Sequence, residues 1–296
     1  MRASVLLAGL GALALLGSGA SNDASAAGVA KVYKGKSVDV IVGYNPGGGY
    51  DAYTRLLARH IGNHIPGKPR TIVKNMGGAG SLKAANYLYN VAKKNGRIFG
   101  MFAGGVAMDA LIGGRKTRFD PLKFNWLGSM TESSSACYAW HTTGFKTLKD
   151  VMKKGGKRMI LGASSGGSST AAWPKTMNAF IGTNFKVITG YKGSKGIILA
   201  MERGEVQGLC GYFISSIRNV RPTWLKEGKV VMLVQEAKKR HADFPNIPTV
   251  FEYAKNKATK QAFNLVFGWQ VMGRPFTLPP GVAPDRVAAM RKAFWD

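Results

Sequence analysis

The hydrophobic and polar positions of the chain follow two periods that alternate along its length. Short apolar runs rich in β-branched and aromatic residues predict strands at 38–42, 71–73, 98–102, 137–140, 159–161, 185–189, 206–210 and 230–234. Between most of these runs the apolar positions recur at helical spacing, which predicts helices at 53–61, 82–91, 171–180 and 196–202. Such alternation is typical of the α/β class, in which helices cover parallel sheets.

Three of the predicted strands end in clusters of glycine or serine that lead directly into a helical pattern. The segments read VIVGYNPGGGYDAYTRLLARHI, IVKNMGGAGSLKAANYLYNVA and MILGASSGGSSTAAWPKTMNAF. The first backbone N–H groups of a helix have no partner within it, and small residues leave them open to an anion. Ligands of α/β sheets bind beyond the carboxyl ends of the strands, which is where all three clusters fall. Because the third cluster lies far downstream of the first two, we expect two lobes that face each other across a cleft.

Length and charge fit this interpretation. The chain has 296 residues, more than a usual single domain, and we expect it to cross between lobes at 124–130 and at 263–272, the second as a late apolar strand. It carries 42 Lys and Arg against 15 Asp and Glu, a net charge of +27. The basic residues are scattered, with no aromatic-interleaved stripe of the kind that binds single-stranded nucleic acid. We therefore expect a solvated basic surface that attracts small anions at long range and no nucleic-acid partner, with a general polyanion binder kept as an alternative.

The N-terminus has the pattern of an export signal. Arg2 precedes an apolar stretch at 5–16, and Ala24-Ser25-Ala26 matches a small-x-small cleavage site, so we expect a signal peptide at 1–26. No helix is expected across 18–30, and no other stretch approaches the ~20 apolar residues of a membrane span. An oxidising compartment permits a disulfide between Cys137 and Cys210, and two buried free thiols are the alternative.

Two of the clusters imitate enzyme motifs. Residues 47–52 match the G-x-G-x-x-A dinucleotide fingerprint, but the acidic residue that should follow the next strand is absent, so no nucleotide cofactor is expected. Residues 162–166 match the G-x-S-x-G nucleophile elbow with Ser164 as the nucleophile. Only His241 follows it in the chain, and we expect the candidate acids Glu227 and Glu236 to lie in solvent. A serine hydrolase is the alternative function. His60 and His64 have metal-ligand spacing without the glutamate of H-E-x-x-H, so they predict a solvated helix face and no metal site.

Anion capture by backbone amides is the chemistry that the residues favour. Asp51 lies in the predicted first turn of its helix, and residues 168–170 are candidate N-caps. Lys192 is either a countercharge for the anion or an ordinary surface lysine.

Several motifs in order resemble one protein family. Pro46-Gly47-Gly48-Gly49-x-Asp51, Asn75-x-Gly77-Gly78-Ala79-Gly80, the turn at 162–170, Tyr191-Lys192-Gly193 and Pro245-x-Ile247-Pro248-Thr249 resemble the extracytoplasmic solute receptors of tripartite tricarboxylate transporters, the Bug-type binding proteins. The resemblance runs from about Lys34 to the C-terminus.

The resemblance implies a type II periplasmic binding protein with two α/β lobes, 31–130 plus 262–296 and 131–261. It implies a periplasmic monomer that is not an enzyme, needs no cofactor, captures a small carboxylate and delivers it to membrane permease subunits. Many members have an aspartate after the strand that here ends in Cys210-Gly211-Tyr212, and we expect Tyr212 to take its place; aromatic residues near the turns favour an aromatic or fairly large acid. The ligand-binding residues implied are Pro46, Gly48, Gly49, Tyr50, Asp51, Gly78, Ala79, Gly80, Gly104, Ser164, Ser165, Gly167, Ser168, Ser169, Tyr191, Lys192 and Tyr212.

Overall fold

A computed structural model describes residues 20–112, 117–152 and 157–296. The described strands are β1 Ser37–Val42, β2 Arg70–Asn75, β3 Ile98–Met101, β4 Asn125–Ser129, β5 Ser135–Trp140, β6 Met159–Ala163, β7 Phe185–Thr189, β8 Gly208–Phe213, β9 Val230–Gln235 and β10 Pro275–Leu278. The described α-helices are α1 Ala20–Tyr33, α2 Gly49–His64, α3 Leu82–Asn90, α4 Gly104–Ile112, α5 Leu148–Met152, α6 Ser169–Ile181, α7 Gly193–Glu202, α8 Ile214–Val220, α9 Lys257–Phe267 and α10 Pro284–Trp295.

The strands form two separate five-stranded sheets. The first has the order β2-β1-β3-β10-β4 and the second β7-β6-β8-β5-β9. We call the two halves built on them the first and second lobes; the chain passes from the first to the second between β4 and β5 and returns before β10. The predicted α/β class and two-lobe arrangement are confirmed, and the predicted limits of the lobes stay a prediction.

The sheets are mixed, which corrects the expectation of parallel sheets. β1 pairs in parallel with β2 and β3, and β6 pairs in parallel with β7 and β8. β10 runs antiparallel to β3 and β4, and β5 runs antiparallel to β8 and β9. The antiparallel strands adjoin the two crossings, because a strand that enters a sheet from the other lobe needs no helical crossover.

Two local predictions are wrong. Residues 263–272 are not a strand: they complete α9 and continue as a 3₁₀ turn, Gly268–Met272, because Phe263 and Phe267 recur at helical spacing and pack into the core. The segment 20–33, where no helix was expected, is α1, and its buried Val29 and Tyr33 pack on the first lobe. Of the predicted signal peptide, residues 1–19 lie outside the described part of the chain. None of the helices in the described ranges is long and apolar enough to cross a bilayer.

Burial explains why the first cluster begins a helix where it does. In β1 the side chains of Val38, Val40 and Ile41 are buried, which fixes the end of the strand at the sheet edge. In α2 the buried residues Ala58 and Ile61 lie on one face, so the helix packs back on the same sheet. Each fully buried valine or isoleucine side chain contributes about 1.5–3 kcal/mol to the stability of the fold. The glycines between the two elements are thereby held at the carboxyl edge of the sheet.

Cys137 on β5 and Cys210 on β8 are joined by a disulfide that closes a sequence separation of 73 residues. We expect reduction to lower the free energy of unfolding by about 4 kcal/mol, because the cross-link restricts the unfolded chain over a long loop. Urea unfolding with and without reductant measures this change, and a Cys137→Ala/Cys210→Ala variant should not respond to reductant. Two free thiols in the denatured, unreduced protein would show that the bond is absent.

Candidate functional site

The turn between β1 and α2 is organised around Asp51. Its carboxylate is buried and accepts hydrogen bonds from Gly47 N–H at 2.9 Å, Arg55 Nε at 3.0 Å and Asn75 Nδ2 at 2.8 Å. Burial acts to raise the pKa of Asp51, but the hydrogen bonds from Arg55, Gly47 and Asn75 outweigh it and lower the pKa. The Asp51 carboxylate therefore ties the turn to α2 and to the end of β2.

The second turn, at 78–81, has a run of left-handed backbone. The φ angles are +144° at Gly78, +47° at Ala79, +60° at Gly80 and +84° at Ser81. Such angles are unfavourable for alanine and serine, and strain of this kind concentrates where a loop must take a particular path. Here the path brings Gly80 against the other lobe: a Cβ added to Gly80 would lie 2.9 Å from Ser165 Oγ.

Hydroxyl groups fold the third turn, between β6 and α6. Ser168 Oγ donates to Ser165 O at 2.7 Å and lies 2.7 Å from Thr170 Oγ1, which accepts from Ser164 N–H at 3.2 Å. Ser169 Oγ donates to Gly211 O at 2.9 Å, which ties the turn to β8. Ser168 occupies the N-cap position of α6, as predicted, but its side chain makes no capping hydrogen bond. Its hydroxyl is used inside the turn instead.

The first and third turns meet across a cavity between the lobes; its empty space, including open solvent at the mouth, is about 560 Å³. From the first lobe it is lined by the turn before α2, and from the second lobe by the third turn, the start of α7 and the end of β8. The predicted ligand-binding residues that line it are Pro46, Gly48, Gly49, Tyr50, Ser164, Ser168, Ser169, Lys192 and Tyr212. Residues that the sequence interpretation missed also line it: Tyr44, Asn45, Ser194, Lys195, Phe213 and Ser216.

A second cavity lies on the other side of the third turn; its empty space, including open solvent, is about 600 Å³. The predicted residues that line it are Gly80, Gly167, Ser168 and Ser169, beside Trp173 and Trp269. The two cavities share Tyr44, Ser168 and Ser169. The remaining predicted residues line neither cavity: Asp51, Gly78, Ala79, Gly104, Ser165 and Tyr191. Gly104 instead packs on the ring of Trp269, where an added Cβ would lie 3.0 Å from Cε3.

No model of a known protein family matches the chain. A curated relative from Cupriavidus necator, the UPF0065 protein in the gbd 5' region, is 25% identical over 268 residues, which are 88% of this chain and 73% of the relative. The solved structure of the periplasmic binding protein BugD is similar with a TM-score of 0.70 and 18% identity, over 88% of this chain and 82% of that one. MatC from Rhodopseudomonas palustris, solved with bound malate, is similar with a TM-score of 0.69 and 21% identity, over 89% of this chain and 84% of MatC.

The chain has the fold of the two-lobed periplasmic binding proteins. This confirms the predicted fold, and BugD is of the Bug type that the sequence motifs resemble. In this binding-protein fold the two cavities lie in the cleft between the lobes, where the three Gly/Ser turns converge.

The first cavity offers a serine nucleophile no acid or base partner among the residues that the structure describes. None of the described residues that line the first cavity is a histidine, aspartate or glutamate. His241, the predicted base, packs on Phe244 instead, and its Nδ1 lies 3.8 Å from Asp243 Oδ2. Glu236 is fully buried, which corrects the expectation that it lies in solvent, and its Oε2 accepts from Gly211 N–H at 2.7 Å. Within the described ranges no group of His, Cys, Asp and Glu could hold a metal ion.

Arg274 is the residue behind the cleft that sequence reasoning missed. It lies between the returning crossing and β10, and it is fully buried. Its guanidinium carbon lies 4.5 Å from the ring centroid of Tyr50, 4.8 Å from that of Tyr53 and 4.3 Å from that of Phe213. Nη2 donates to Ser216 Oγ at 2.8 Å, and Nη1 donates to Gly273 O at 2.8 Å. Arg274 follows no motif, and nothing local in the sequence distinguishes it from the other basic residues.

Proposed function

We propose that this protein is an extracytoplasmic solute receptor of the Bug type. It captures a small carboxylated metabolite between its lobes and delivers it to the permease of a tripartite tricarboxylate-type transporter. Residues 1–26 are its signal peptide and the periplasm is its compartment. Export of a reporter fused to 1–26, with cleavage near Ala26, tests the last two statements.

One observation carries the proposal: the helix N-termini of α2 and α6, from opposite lobes, meet at one cavity that no described carboxylate lines. The first N–H groups of each helix have no intrahelical partner and attract negative charge. Each hydrogen bond from a backbone N–H group to a carboxylate contributes about 1.5–3 kcal/mol, so several such hydrogen bonds support micromolar binding. MatC, which was solved with malate, shares the fold, which makes dicarboxylates the first acids to test.

The predicted ligand contacts divide between the two lobes. We assign Pro46, Gly48, Gly49 and Tyr50 to the first lobe's side of the ligand. Ser164, Ser168 and Ser169 face it from the second lobe, with Lys192 and Tyr212 at the wall of the same cavity. Asp51 and Ser165 act by shaping the turns.

A thermal-shift screen of dicarboxylates, tricarboxylates, aromatic acids and amino acids tests this function. We expect at least one acid to stabilise the protein by about 2.7 kcal/mol at a hundredfold excess over its Kd. Charge-neutral amides of the same acids are the matched controls and should stabilise far less. Binding of unrelated polyanions that collapses with salt, without any small acid bound, would instead support a polyanion binder. Esterase turnover lost in Ser164→Ala would support a hydrolase.

A further inference from the structure

Arg274 is a buried positive charge without a negative partner among the described residues. Three aromatic rings surround its guanidinium group: Tyr50 and Tyr53 from α2, and Phe213 from the end of β8. Cation–π contacts of this kind offset part of the free-energy cost of burying the ion. Burial accordingly lowers the pKa of Arg274. The folded protein therefore contains a cation that an anion nearby would stabilise.

The Ser216 hydroxyl links this charge to the first cavity. Ser216 Oγ accepts from Arg274 Nη2 at 2.8 Å, and Ser216 lines the cavity together with Tyr50 and Phe213. Because its oxygen accepts from Arg274, the Ser216 O–H can donate elsewhere, and it has no acceptor among the described residues. A hydroxyl that accepts from a cation is a stronger donor, since the bonds polarise one another.

Other cations near the cavity differ from Arg274 in their surroundings. Lys192 and Lys195 line the same cavity, but both are exposed to solvent. Exposed charges interact weakly with an anion because water and salt screen them. Arg274 lies in a dry aromatic cage, so its field at the cavity wall is screened much less.

We propose that Arg274 is the countercharge for the ligand carboxylate. It acts through the Ser216 hydroxyl, which donates a hydrogen bond to a carboxylate oxygen. The inference rests on the proposed function and adds a source of selectivity for acids over their uncharged amides. Arg274 is a positioning residue in this arrangement, and Ser216 is the residue that contacts the ligand. The cage is complete only when Tyr50 and Tyr53 of the first lobe and Phe213 of the second lobe meet, so the pairing also favours the closed cleft.

The test compares affinities for acid and amide in wild type and in Ser216→Ala. The probes are malate and adipate, each with its diamide, measured by calorimetry. We expect Ser216→Ala to weaken binding of the acid about tenfold or more and binding of the diamide less than about threefold, because the bond lost is charge-assisted. Ser215→Ala is the matched control: Ser215 lies on the same helix but lines a different surface depression, and both affinities should be unchanged.

Arg274→Met separates recognition from folding. Replacing a buried unpaired ion by an apolar side chain keeps or raises the melting temperature, whereas the acid-to-diamide preference should fall about tenfold. If Ser216→Ala and Arg274→Met both bind acid and diamide in the wild-type ratio of affinities, the inference is overturned and the proposed function still stands. Wild type that binds neither malate nor adipate would overturn the inference for these probes, and the complete acid screen judges the proposed function separately.

Discussion

Gly49→Ala is expected to abolish ligand capture while both lobes stay folded. Gly49 is the first residue of α2, where alanine is a better helix former than glycine. Its added methyl group would overlap Ser216 Oγ, would lie 2.8 Å from Ser216 Cβ and would lie 3.1 Å from Arg274 Nη2. Because Ser216 belongs to the second lobe, the overlap is relieved by holding the lobes apart. We expect the affinity for a bound acid to fall at least about a hundredfold, since the contacts from one lobe are lost together.

Calorimetry with the acid that binds wild type measures the loss, and small-angle scattering checks that the acid no longer compacts the variant. Gly166→Ala is the matched control, because an added Cβ at Gly166 meets nothing within 4 Å. The melting temperature of ligand-free Gly49→Ala should equal that of wild type. Normal binding by this variant would show that the lobes do not approach each other at Gly49 in the liganded protein.

Glu236→Gln should stabilise the protein increasingly as pH rises. Burial raises the pKa of Glu236 from its ordinary value of 4.5 to about 8, against the opposing hydrogen bond from Gly211 N–H. Between these two values the unfolded chain releases a proton that the folded chain keeps, so the stability of wild type falls as pH rises. The stabilising contribution is complete below pH 4.5 and is lost as pH passes about 8. Over this range it amounts to roughly 5 kcal/mol by linkage.

Glutamine keeps the shape and can still accept from Gly211 N–H, but it does not titrate. Urea unfolding at about pH 5 and about pH 8.5 measures the free energy of unfolding. The excess of the variant over wild type in this free energy should be larger at the higher pH. Tyr138 responds to the same charge, because burial and nearby Glu236 both raise its pKa. The exposed Glu227→Gln is the control and should give no such growth. An equal difference at both pH values would show that Glu236 is ionised throughout.

Much of the fold follows from local pattern because each sheet edge is built from short-range rules. The runs at 38–42 and 159–161 are mainly apolar because their strands are largely buried. Each glycine or serine cluster ends a strand where the next helix must turn back. The segment 263–272 is predicted wrongly as a strand because only Asn264 and Gln270 interrupt its apolar run, which leaves no clear period. Phe263 and Phe267 show the helical spacing only once their burial is known.

The candidate site was predicted where the chain approaches the ligand cleft through its own turn, as at Gly48, Gly49 and Ser169. It was missed where two distant segments meet. Arg274 is 58 residues from Ser216 in sequence, and neither carries a local signal. Gln270 is a similar case: its Oε1 accepts from Ser135 N–H at 2.8 Å, which joins the two crossings between lobes. Pairings of this kind depend on the tertiary arrangement, which periodicity and motif spacing do not encode.

A crystal structure of the protein, grown with the acid that gives the largest thermal shift, would locate the bound carboxylate. We predict one carboxylate of that acid in the first cavity, within hydrogen-bond distance of backbone N–H groups at Gly49 or Tyr50 and of the Ser216 hydroxyl, with the lobes closed around it. An acid bound outside the cleft, or held only by Lys192 and Lys195, would contradict capture by backbone amides and Ser216.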